Sequence, residues 1–76
     1  MGKLRELRYD ELCRQLQFFG FRFYRHGKGS HELWVRDADG TVVPVPHHKG
    51  TPIRKGTVRA IIQEIGVNVD EFMDME

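Results

Sequence analysis

Apolar residues recur along the chain with two different periods. Tyr9, Leu12, Cys13, Leu16 and Phe19 fall at i, i+3, i+4 and i+7 spacing, one face of a helix over about Tyr9 to Phe19. Asp10 and Glu11 suit the positive end of that helix dipole, and Gly20 supplies its stop. Phe21 to Arg25 then alternates phenylalanine with basic residues, as a strand does. Gly27-Lys28-Gly29 makes a turn, and Ser30 to Arg36 reads as a second strand. Period two places His31, Leu33 and Val35 on one of its faces and Glu32, Trp34 and Arg36 on the other. If Leu33 and Val35 face the core, His31 sits where that core face ends, a good place for a partly shielded histidine. Asp37-Ala38-Asp39-Gly40 is a hairpin turn. Thr41 to Val45 forms a third strand, at a sheet edge because Pro44 and Pro46 cannot donate to a ladder.

The segment from His47 to Pro52 is a loop. Val58, Ile61, Ile62 and Ile65 form the stripe of a second helix, which begins between Ile53 and Thr57 and stops at Gly66. Asn68 with Glu71 three residues on resembles a capping box, so a short last helix is expected over Val69 to Met75, with Phe72 packing back on the core. Two hairpins make the sheet antiparallel, and single apolar stripes send both main helices to one sheet face. The expected class is therefore α+β, in the order α-β-β-β-α with a short C-terminal helix. That is the architecture of double-stranded-RNA-binding domains.

With 76 residues the chain makes a single domain, residues 1–76. No apolar run approaches the roughly 20 residues of a membrane span, and the first residues carry no apolar signal core, so a cytoplasmic protein is expected, with no membrane partner. A lone cysteine, Cys13, excludes an intrachain disulfide, and its expected role is a small buried hydrophobe. Net charge is only +1, but it is unevenly spread. Residues 22–59 hold eight basic against three acidic side chains, whereas residues 60–76 hold five acidic side chains and no basic ones. The basic middle is either a phosphate-facing patch or a solvated face.

Four histidines carry the candidate chemistry: His26, His31, His47 and His48. Imidazole titrates near neutral pH and so suits proton transfer. His31 follows Gly29 and Ser30, a turn whose bare backbone admits a phosphate that Lys28 can neutralise and Ser30 can hydrogen-bond. On residues alone, a surface or packing role for His31 stays open. His47 and His48 point to opposite sides of an extended chain, and no Asp, Glu or Cys nearby completes a ligand set, so no metal or other cofactor is expected. Arg54, Lys55 and Arg59 gather about the start of the second helix, where free N–H groups also favour an anion. Arg22 and Arg25 can extend that surface, unless it is a solvated first turn. Trp34 can stack on a base, sit in an interface, or pack against its own sheet.

Taken in order, the helix running into Gly20-Phe21, then Arg25, Gly29-Ser30-His31, Val43-Pro44-Val45-Pro46-His47, Lys55-Gly56-Thr57-Val58-Arg59 and Ile61-Ile62 before Gly66 resemble the HicA toxin family, the YcfA-like mRNA interferases. The resemblance covers nearly the whole chain. It implies the double-stranded-RNA-binding-like fold and metal-independent cleavage of RNA, with the histidine of the Gly-Ser-His motif, His31, as the catalytic residue. It also implies two partners, mRNA as substrate and a HicB-type antitoxin that holds the toxin inactive. Many relatives cap the first helix with Ser or Thr where this chain has Arg8, which weakens that cap by about 1 kcal/mol or moves it.

Efficient cleavage wants a second proton-transfer group, for which His47 is the candidate. The RNA-contacting set is then Arg25, Lys28, Gly29, Ser30, Lys49, Arg54, Lys55 and Arg59. A non-catalytic RNA-binding module of the same fold is the alternative.

Overall fold

The computed structural model describes residues 3–48 and 50–74. The chain runs α1 (Tyr9–Phe18), β1 (Phe21–His26), β2 (His31–Arg36), β3 (Thr41–Pro46), α2 (Lys55–Ile65) and α3 (Val69–Asp74). The expected end of α3 at Met75 lies outside the described residues. The strands form one sheet in the order β1-β2-β3, and both pairings are antiparallel. β3 lies at the edge, as its prolines require.

The helices start and stop for local reasons. Arg8 at the start of α1 offers no acceptor, but Glu11 accepts the Arg8 backbone N–H at 2.9 Å, half of a capping box. Gly66 closes α2 in a left-handed conformation (φ 79°) that a side chain would strain. Asn68 Oδ1 accepts the N–H groups of Asp70 and Glu71, which starts α3 as the sequence pattern required.

Both main helices pack on the same sheet face. Leu12 and Leu16 of α1 and Val58, Ile61, Ile62 and Ile65 of α2 meet Trp34, Val43 and Val45 in one core. Phe72 of α3 closes it, fully buried and stacked on Phe19 at 5.5 Å. Outside the sheet, Leu7 and Ile53 exchange two backbone hydrogen bonds of 3.2 and 2.7 Å. That bridge ties the approaches to α1 and α2 together. No helix among the described residues is long and apolar enough to cross a membrane.

The face assignment of β2 is the reverse of the sequence expectation. Trp34 and Glu32 are buried on the helix side, beside Val43 and Val45 of β3. His31, Leu33 and Val35 lie on the side that bears no helix, across from Pro46, Pro44 and Val42. The inversion has a physical cause. The indole is the largest apolar group of the strand and claims the core, and its polar neighbours are satisfied there. Arg36 lays its guanidinium over Phe21 at 4.9 Å and donates to Asp39 and to the Ile65 carbonyl, while Glu32 finds three donors. His31 is accordingly exposed rather than partly shielded.

Candidate active site

The turn before β2 is built from backbone hydrogen bonds. Gly27 N–H donates to the His31 carbonyl at 2.9 Å, and His31 N–H donates to the Lys28 carbonyl at 3.0 Å. Gly29 adopts φ 59°, and a Cβ placed there would meet nothing within 4 Å, so the tip is open to a ligand. Ser30 is anchored twice to the chain leaving β3. Its carbonyl accepts the His47 N–H at 3.0 Å, and its hydroxyl lies 3.0 Å from His48 Nε2. The Gly29-Ser30-His31 tip thus sits at one end of the sheet, backed by the loop that leads into α2.

His47 projects to the other side. Its Nδ1 lies 3.1 Å from Glu32 Oε2, and its ring stacks on Tyr9 at 3.6 Å with 7° between the planes. Glu32 also receives the Tyr9 hydroxyl and the Trp34 indole N–H on Oε1. Burial pushes the Glu32 carboxyl up, but the three hydrogen bonds outweigh it and hold the group below the ordinary carboxylate range. A carboxylate only accepts, so His47 Nδ1 is the donor in this contact. The His47 side chain is 41% exposed, which keeps Nε2 within reach of solvent or ligand.

His31 and His47 therefore occupy the same sheet end but opposite faces. Arg25 pairs with Leu33 on the His31 side of the sheet and is exposed, as is Lys28. Arg54 precedes α2 and lines a cavity of about 430 Å³ together with His48 and Thr57. Lys55 and Arg59 are exposed on α2 and line neither this cavity nor its neighbour described below. Lys49 lies outside the described residues. Cys13 is buried and its thiol is pushed up to about 11, mainly by that burial, so it is no nucleophile. Trp34 is only 4% exposed and cannot stack on a base. Among the described residues no group of three or more His, Cys, Asp or Glu side chains is placed to hold a metal ion.

Three participants escaped the sequence reading. Tyr9 counted only as part of an apolar helix face, Glu32 as a solvent-side strand residue, and His48 as a loop histidine. A signal existed for one of them: Glu32 is two residues from Trp34 and must share its face, so a buried indole implies a buried carboxylate beside it.

A family pattern described as the HicA toxin of bacterial toxin–antitoxin systems matches residues 9–67. The chain belongs to the HicA toxin family. The match takes in α1, the whole sheet and α2, and with them the Gly29-Ser30-His31 tip and the loop behind it. No curated protein matches the chain significantly. The last helix lies beyond the matched segment, yet its Phe72 completes the core of this HicA domain.

Proposed function

We propose that this chain is a metal-independent endoribonuclease that cleaves mRNA by histidine acid–base catalysis and is held in check in the cytoplasm by a HicB-type antitoxin. The observation that carries the reading is the exposed His31 imidazole on the open Gly29-Ser30 tip, in a chain that belongs to a toxin family.

In the proposed reaction one imidazole takes the proton from a ribose 2′-hydroxyl. The freed O2′ attacks the adjacent phosphorus, and the bond from phosphorus to O5′ breaks. A second, protonated imidazole gives its proton to the departing O5′, leaving a 2′,3′-cyclic phosphate. We assign these two roles to His31 and His47, which leave the same end of the sheet. Lys28 and the backbone of Gly29 and Ser30 stabilise the charge that builds on the phosphoryl oxygens. Arg25, Lys49, Arg54, Lys55 and Arg59 take flanking phosphates.

The test is direct. Purified chain, incubated with single-stranded RNA and excess chelator, is expected to yield fragments ending in 2′,3′-cyclic phosphate. RNA carrying deoxyribose at the cut position is expected to stay intact there. Cleavage of the deoxyribose site, or none of any RNA, would overturn the reading.

A further inference from the structure

We propose that the cavity between the start of α1 and the loop after β3 is a base-binding subsite, which takes one unstacked base of single-stranded RNA beside the cut. For the class of ligand this rests on the ribonuclease reading; for the rest it stands on the cavity itself.

The cavity holds about 440 Å³, room for a single nucleoside but not for a duplex. Tyr9 and His47 share its wall with their rings stacked on one another, which leaves an outer face of the pair as the flat π surface on which a base would stack. That surface is rigid before any ligand arrives, because buried Glu32 holds both the Tyr9 hydroxyl and His47 Nδ1. At the rim, Thr51 and the ion pair of Arg8 with Asp10 (3.3 Å) offer polar groups to the edge of a base.

A second feature fixes what else enters. His48, Thr51 and Pro52 line this cavity and also the neighbouring cavity that Arg54 lines. An apolar slot that shares a wall with a cationic one matches a nucleotide, with base in the first and phosphate in the second. His48 also bonds Ser30, so the paired cavities adjoin the His31 tip. A base held there belongs to a nucleotide next to the scissile bond, and the slot makes cleavage depend on which base that is.

The experiment uses the full chain and fluorescein-labelled 2′-O-methyl RNA hexamers, which lack the attacking hydroxyl and cannot be cut. One set carries an abasic residue at each position in turn. Fluorescence anisotropy should show weakening of about 5- to 100-fold at one position only, the range that one stacked base contributes. Thr51→Phe changes an exposed residue of the rim and fills the slot without touching the core. It should abolish that position dependence while circular dichroism stays unchanged.

Binding is read without cleavage, so the two readings fail separately. A chain that binds with one base-dependent position but cuts nothing keeps the subsite and loses the ribonuclease. A chain that cuts RNA, yet binds abasic and intact strands alike, overturns the subsite. If Thr51→Phe leaves RNA binding unchanged and instead weakens the complex with the antitoxin, the cavity belongs to the partner protein and the proposal is wrong.

Discussion

The Glu32 carboxylate and the His47 imidazole form a hydrogen-bonded pair of 3.1 Å, with the carboxylate buried and the imidazole facing out. This fixes the ring's orientation, as a carboxylate does for a histidine that must exchange protons with a substrate. The same carboxylate holds Tyr9 and Trp34, so it serves the core as well as the site.

Glu32→Ala therefore strands one buried donor, the Trp34 indole N–H, and one half-buried donor, the Tyr9 hydroxyl. A stranded buried donor costs about 1–3 kcal/mol, so the variant should lose at least about 1 kcal/mol of stability in urea unfolding. A loss below half a kcal/mol would show that water replaces the carboxylate.

The Glu32 carboxyl is held below its ordinary value in the folded chain. Such a group gives stability that is present above its unfolded pKa and is lost as pH falls through the lower, folded one. Unfolding free energy should thus decline below about pH 4.5, the ordinary value for this side chain. Glu32→Gln should flatten that decline. Equal slopes in the two proteins below about pH 4.5 would assign the acid sensitivity elsewhere.

Phe72 is fully buried, and the Gln15 side-chain amide donates to its carbonyl at 2.7 Å. Phe72→Ala should cost about 3–5 kcal/mol. Whole small domains have only about 5–15 kcal/mol to lose, so the variant should be largely unfolded at 37 °C by circular dichroism. A cooperative transition near that of the parent would mean that α3 is dispensable.

Arg54 sits beside the proposed site, and Lys55 follows it on exposed α2. An antitoxin that covers a basic nuclease gains association rate from opposite charge. Arg54→Glu with Lys55→Glu should slow association at least tenfold in low salt, with a smaller effect at 0.5 M NaCl. Surface plasmon resonance reads both rates, and an unchanged association rate would place the antitoxin elsewhere.

Much of the fold was legible because each element carries its own signal. The α1 and α2 stripes gave the helix face, Pro44 and Pro46 gave the edge strand, and Asn68 gave the start of α3. The orientation of β2 was not legible by counting apolar residues. His31-Leu33-Val35 outscores Glu32-Trp34-Arg36 in hydropathy, yet one buried indole outweighs two aliphatic side chains once its polar neighbours find partners. The Gly29-Ser30-His31 tip could be read as a local motif. The Glu32, Tyr9 and His47 cluster could not, because it joins a strand, a helix start and a loop that lie far apart in sequence.

The central claim is that the His31 imidazole transfers a proton during RNA cleavage. His31 is exposed and its side chain supports no part of the core, so His31→Ala should keep the parent's stability within about 0.5 kcal/mol. The decisive measurement is the single-turnover cleavage rate of His31→Ala against the parent, on one defined RNA with chelator present. A fall of about 10²- to 10⁴-fold is expected. A folded His31→Ala that cuts at the parent's rate would contradict it.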